Sequence, residues 1–303
     1  MTGMTVPILF DQQLIQQHRQ RAAPRYTDFA FLKDVAAARL ADRLELMRRD
    51  FDLCLDVGAH DGRLAQYFAG LGKIGRLIHT DPSEKFAIVT KQYGPSVVHS
   101  LGELPYKQAS FDGIFSCLSL HWVDDLPGLM MQASQLLKPD GLFLVSLLGG
   151  NSLTELKQVL AEAEQDITGG YSPRCAPMAD VRDIGGLMSR AALSLPVADS
   201  DRLTVYYPHM FKLMADLRGM GEQNALLARL RIPTRRQVFM RAAKIYQQRF
   251  GRFDGQIPAS FEIVTVTGWA PHESQQKPLR PGTAVHRLAT VLETDEQDPE
   301  AGA

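Results

Sequence analysis

The stretch 53–62 constrains the fold more than any other part of the chain. Leu53-Cys54-Leu55-Asp56-Val57 is a short, almost unbroken apolar run closed by Gly58, and Gly62 follows. A run that short without polar alternation reads as a strand buried on both faces, the condition of a parallel sheet. Parallel neighbours need a crossover, and a helical pattern over residues 63–70 supplies one. The alternation recurs, with strands predicted at 76–80, 96–98, 111–116 and 141–147 and helical spacing between most of them. Strand alternating with helix predicts a doubly wound α/β sheet. Upstream, Phe29, Leu32, Val35, Ala36, Leu40, Leu44 and Met47 fall at helical spacing, so residues 28–49 read as an amphipathic helix leading into the first strand.

The second half is less regular. A helix is expected from Asn151 or Ser152, with Ser152 and Glu155 as a capping box. Residues 168–177 read as a Gly- and Pro-bearing loop, 180–192 as a short helix, and 202–207 and 261–268 as two further strands. Between those strands, 208–250 carries a helical pattern, taken as an insertion over the sheet edge. Its later part holds Arg229, Arg231, Arg235, Arg236, Arg241, Lys244, Arg249 and Arg252 with no Asp or Glu from Ala225 to Arg252. Such a stretch is either one solvated side of an amphipathic helix or a face that docks an acidic protein partner or an anionic lipid surface.

Composition narrows the function. Lys+Arg 33 against Asp+Glu 34 leave a net charge of -1, which gives no global field for nucleic acid. With 45% hydrophobic and 22% charged residues, a sizeable packed core is expected. No stretch approaches the ~20 apolar residues that span a bilayer, and the start lacks the basic-then-apolar pattern of a signal peptide. Cys54, Cys117 and Cys175 are widely spaced with no C-x-x-C. Neither a disulfide framework nor a zinc knuckle is indicated, no metal is expected, and a reducing, cytoplasmic location follows.

The chemistry gathers at strand ends. A Gly-bearing turn after the first strand lets a ligand approach backbone N–H groups, unless it is simply an α/β turn with no ligand. Glycines at 58 and 62 do not make the G-x-G-x-x-G of a dinucleotide site. Asp81, in Thr80-Asp81-Pro82-Ser83 at the end of the next strand, can accept both hydroxyls of a ribose, or else cap the following helix. His121 and Trp122 follow the fourth strand, at the carboxyl edge where open α/β sheets bind ligands. His suits a base or orienter, and Trp a flat cationic substrate such as a guanidinium. The alternative is that Trp122 is core and His121 a cap.

The run Asp56 to Gly62 resembles motif I of the class I S-adenosylmethionine-dependent methyltransferases, D-x-G-x-G-x-G, with His60 at the middle glycine. More specific strings are SLHWVDDLP at 119–127, LLKPDG at 136–141, GGNSLTEL at 149–156, YPHMFKLMADLRGMGE at 207–222 and GWAPHESQ at 268–275. Together with LFDQQL near the start, they resemble the mitochondrial complex I assembly factor 5 family and its bacterial relatives. A weaker likeness is to the carboxyl methyltransferases of malonyl carrier protein.

The resemblance implies a seven-stranded, mostly parallel sheet with a helical insertion before an antiparallel last strand. It implies S-adenosylmethionine as cofactor, near Asp56, Gly58, Ala59, His60, Gly62, Asp81 and Pro82. Ser100 and Leu101 fall where the family reads adenine, although Ser100 replaces an acidic residue. It further implies a protein partner, a complex I subunit among the candidates, whose arginine is methylated or hydroxylated, with peripheral membrane contact left open. Trp122, Tyr207, His209 and His272 would contact that substrate, with His121 beside them. His60 and Ser100 favour a rival reading, a non-catalytic assembly chaperone with a degenerate cofactor site. Along the chain this gives a helical lid at 1–50, the cofactor-binding core at 51–207, the insertion at 208–259, the final strand and tail at 260–289 and a flexible end at 290–303.

Overall fold

The computed structural model describes residues 7–276. By its contacts the chain divides into Met1–Pro271 and His272–Ala303, and every named element lies in the first unit.

Seven strands form one sheet in the order β3-β2-β1-β4-β5-β7-β6. β1 (Phe51–Val57), β2 (Ile74–Asp81), β3 (Ser96–Val98), β4 (Phe111–Cys117) and β5 (Leu137–Leu148) pair in parallel. β7 (Ile257–Trp269) runs antiparallel to both β5 and the edge strand β6 (Ser194–Tyr207). This is the class I methyltransferase arrangement that the sequence predicts. The strand order reverses between β1 and β4, the place where open α/β sheets bind ligands at their carboxyl ends.

Strand periodicity sends alternate side chains to two separate cores. Phe51, Cys54, Phe115, Leu142 and Leu144 face one core with α2 (Phe31–Leu46), α3 (Arg63–Phe68), α6 (Thr154–Thr168), α8 (Met210–Met220) and α9 (Arg236–Phe250). Leu55, Val57, Ile114, Phe143 and Val145 face the other with α5 (Leu126–Leu136) and α7 (Val181–Arg190). The remaining helices are α1 (Gln12–Ala22) and α4 (Glu84–Thr90), and a 3-10 helix, Ala23–Phe29, joins α1 to α2.

Several local expectations change. α6 begins at Thr154 without a capping box: Leu153 precedes it at φ 55°, with no side-chain cap. Ser152 Oγ instead exchanges hydrogen bonds with the backbone of Glu262, and Glu155 accepts from Ser260, because tying the helix start to β7 satisfies groups on both elements. β6 starts at Ser194, well before 202, although Asp199, Ser200 and Asp201 resemble a turn. Arg43 and Arg39 pair with Asp199 and Asp201, so the acids serve as charges on a sheet edge. The insertion is helical only in α8 and α9, with residues 221–235 between them irregular. Half of its basic run is neutralised: Arg229 pairs with Asp11, Arg241 with Asp166, Arg249 with Glu162 and Arg252 with Asp254. Among the described residues no helix is long and apolar enough to cross a membrane.

Candidate functional site

The turn leaving β1 is built on positive φ. Gly58 sits at 75°, His60 at 53° and Gly62 at 81°. A side chain at Gly58 would place Cβ 2.4 Å from Ser119 Cβ, and one at Gly62 would meet Tyr93 at 2.5 Å. Glycine is therefore required twice, by conformation and by space. Gly58→Ala is expected to cost about 1–3 kcal/mol, read by urea denaturation, since strain and overpacking add.

His60 tolerates its left-handed backbone because its surroundings fix it. Its N–H donates to Asp81 Oδ2 at 3.0 Å, and its ring stacks on Tyr26 at 4.9 Å and meets Phe86 edge-on at 5.2 Å. One face of the imidazole packs into a small cluster with Tyr26, Ala30 and Phe86, while its Nδ1 turns back to Gly58 O at 3.0 Å. Arg19 and Lys33 also lie within hydrogen-bond distance of Nδ1, and Lys33 Nζ donates to Gly58 O at 3.2 Å and Ala59 O at 3.3 Å.

Burial first, then Arg19 and Lys33, hold the His60 pKa well below 6.5, and burial lowers that of His18. Unfolded, both would titrate near 6.5, so below that pH the unfolded chain takes up protons that the folded chain refuses. Their stabilisation is complete above 6.5 and lost as pH falls toward the folded values. His60→Asn should therefore flatten the acid side of a stability-against-pH curve.

Asp81 ends β2 with four donors on its carboxylate. Arg19 of α1 grips both oxygens, His60 N–H adds one bond and Ser83 N–H another at 2.8 Å. Arg19 and Asp81 are 2% and 1% exposed, so this is a buried ion pair. Pro82 O accepts from Gln16 of α1 at 2.9 Å. Beside it, Gln12, Gln13, Gln16, Pro82, His99 and Ser100 line a cavity of about 210 Å³. Leu101 is buried against Gly58, and Asp56 lies within the sheet, hydrogen-bonded to His79 at 3.2 Å. Asp56, Gly58, Ala59, His60, Gly62, Asp81, Pro82, Ser100 and Leu101 are thus gathered at one edge, roofed by α1.

A second cluster follows β4. His121 Nε2 and Trp122 Nε1 both donate to Glu222 Oε2, at 3.1 and 2.9 Å, from a one-turn 3-10 helix, Leu120–Trp122. Burial alone would raise the Glu222 pKa, but His121, Arg19 and the Trp122 N–H more than offset it and hold the carboxyl ionised below its usual range. Glu222 and Trp122 line a cavity of about 260 Å³ whose other walls include Leu148, Leu156, Met214 and Phe239. Tyr207 is instead packed in the core, and His209 is exposed, capping α8 through Lys212 N at 3.1 Å. Neither lines this cavity. His272 lies in the second unit, where its ring bonds Ser274 at 2.7 Å.

A methyltransferase domain family matches residues 55–145. Over 281 residues the chain is 38% identical to the mitochondrial arginine-hydroxylase NDUFAF5 of Homo sapiens, covering 91% of this chain and 81% of that protein. The chain belongs to the NDUFAF5 family. The NDUFAF5 match reaches beyond the methyltransferase domain, into the helical insertion that supplies Glu222. The chain is also 32% identical to the malonyl-[acyl-carrier protein] O-methyltransferase of Xylella fastidiosa (strain M23), over 87% of this chain and 89% of that one. The YcgJ protein of Bacillus subtilis shares the fold, with a TM-score of 0.54, 16% identity and coverage of 78% of this chain and 98% of that one.

Sequence reasoning missed three residues of this NDUFAF5-family site. Arg19 and Lys33 meet the first turn from a separate helical segment, and no local pattern marks a helix cation that will be buried. Glu222 stands just past the Gly221 that ends α8 at φ 82°, where a helix-stop signal masks a cavity-lining carboxylate.

Proposed function

We propose that the chain is an S-adenosylmethionine-binding enzyme that acts on an arginine side chain of a protein. The observation that carries this is Glu222: an ionised carboxylate, fixed through one oxygen by His121 and Trp122, on the wall of a largely apolar cavity. An arginine is an aliphatic stem bearing a flat cation, so the apolar walls suit the stem and the carboxylate and indole suit the guanidinium. Glu222 Oε1 has no hydrogen bond among the described residues and is available to a second N–H. A malonyl carboxylate would meet the same charge as repulsion, which disfavours the carboxyl methyltransferase reading.

The residues at the first turn fit the cofactor in kind. Asp81 matches a vicinal diol, the carbonyls of Gly58 and Ala59 match an ammonium, and Arg19 or Lys33 matches a carboxylate. S-adenosylmethionine, when bound, supplies a sulfonium methyl. In the described conformation these groups bond one another, so binding exchanges internal partners for external ones and α1 has to yield. Glu222 orients the guanidinium, while His121 and Trp122 hold Glu222. Methyl transfer from this pose would form an N–CH3 bond as the S–CH3 bond breaks, with the guanidinium proton leaving to solvent; hydroxylation would in addition need dioxygen and a two-electron donor, which S-adenosylmethionine does not supply. Mass spectrometry of the modified protein separates them by a methyl or an oxygen increment.

The saturated Asp81 also favours a second reading, an assembly chaperone that keeps the fold without the cofactor. Thermal unfolding with excess S-adenosylmethionine distinguishes the two, because a ligand of the folded state must raise Tm by mass action. The enzyme reading expects a rise that Asp81→Asn abolishes; an unchanged Tm would leave the chaperone. The three cysteines are free, two of them buried, which suits the cytoplasm where we place the protein.

A further inference from the structure

The cavity holding Glu222 and a surface groove share one lining residue, Arg174. Arg174 lines the cavity, a small recess of about 90 Å³ beside Lys157 and Tyr171, and a groove of about 330 Å³. It is pinned there: its guanidinium grips Glu164 by two nitrogens and donates to Thr234 Oγ1 at 2.8 Å. The groove runs between the loop after α6 and the segment leading into α9.

Two features of the groove define its occupant. Large apolar side chains stand open at its rim, Tyr171 at 69% and Ile232 at 67% exposure, with Leu230 beside them at 44%. Its free charge is positive. The carboxylate lining it, Glu164, is consumed by Arg174 and by Ser172 N and Oγ. Arg235, also lining it, and the adjoining Arg231 and Arg236 are exposed and carry no ion pair among the described residues. With the exposed Lys244, these are the members of the basic run that carry no ion pair among the described residues.

Resting on the arginine reading above, we infer that this groove seats the substrate polypeptide beside its target arginine, and that the seated segment carries apolar residues together with Asp or Glu. The arginine enters the cavity, the chain passes Tyr171 and Arg174, and its acidic residues meet Arg235 and Arg236. A concave groove next to the cavity suits an extended segment, whereas a membrane presents a broad surface that does not enter it.

Fluorescence anisotropy with the full chain tests this. The probes are labelled peptides of about a dozen residues, each with one arginine and a Leu-Glu-Leu-Glu stretch at varied spacing, and matched peptides with Lys in place of Glu. The acidic set should bind about ten-fold tighter, a preference weakened by salt. In the double variant Arg235→Glu, Arg236→Glu that preference should reverse. Acidic residues suit the first turn of α9, so the helix survives the change. Equal affinity for both sets, or no response to the double variant, overturns the proposal. So does a double variant that loses only its binding to phosphatidylserine vesicles, which would make the patch a membrane contact. Citrulline in place of the arginine separates the two claims. Acidic citrulline peptides that bind as tightly as the arginine ones, and still respond to the double variant, would retain the groove and sink the Glu222 cavity.

Discussion

Glu222→Gln should weaken capture of an arginine side chain by about 3–12-fold while leaving the fold intact. The amide oxygen of Gln still accepts from Trp122 Nε1 and His121 Nε2, so neither donor is left unpaired. What disappears is the negative charge, and a hydrogen bond to a charged group is worth about 1.5–3 kcal/mol against about half that for a neutral one. Titration with acetyl-arginine amide reads the affinity directly, and urea unfolding checks stability. Because the Glu222 carboxyl is held below its ordinary range, capture should persist as pH falls through the usual glutamate pKa and fail only beneath it. Unchanged affinity in the variant would remove the guanidinium from this cavity.

Asp81→Ala should destabilise the chain by about 3–5 kcal/mol, more than a surface ligand-binding carboxylate would. The loss leaves Arg19 buried without its counter-ion, the costly half of breaking a buried pair. Arg19→Met should cost less, since Asp81 keeps the N–H groups of His60 and Ser83. Removing both charges, in Arg19→Met with Asp81→Leu, should recover much of the single-variant loss, because an apolar pair of similar volume is often no worse than a buried ion pair. A double-mutant cycle by urea denaturation gives the coupling. If Asp81→Ala costs under about 1 kcal/mol, the pair is open in solution and α1 is no lid.

The parallel half of the fold is legible because its strands are buried on both faces and read as apolar runs. The same logic fails at β6, which faces solvent along most of its length, so its acids mimic a turn. Of the site, Asp81 and the turn at Gly58 and Gly62 were legible because their backbone demands are local. His121 and Trp122 were placed at the right edge, but their partner lies 101 and 100 positions away on the insertion. Tyr207 and His209 share a striking string with Glu222 only in sequence, since the helix between them turns one end into the core and the other toward the cavity. The basic run is only half legible for a related reason: the carboxylates that pair with it belong to α6, to the N-terminal segment and to the loop after α9.

One feature of the N-terminal segment bears on how the chain is made. Asp124 receives the N–H groups of Leu9 and Phe10, Asp11 pairs with Arg229 across 218 positions, and the backbone at residues 9–11 bonds that at 225–227. The anchors at 225–229 exist only after β1 to β6 have been translated. Until then the first helix has its contacts with Asp81, Pro82 and Asp124 to hold it. Its final seating over the end of β2 is therefore a late event in making the chain.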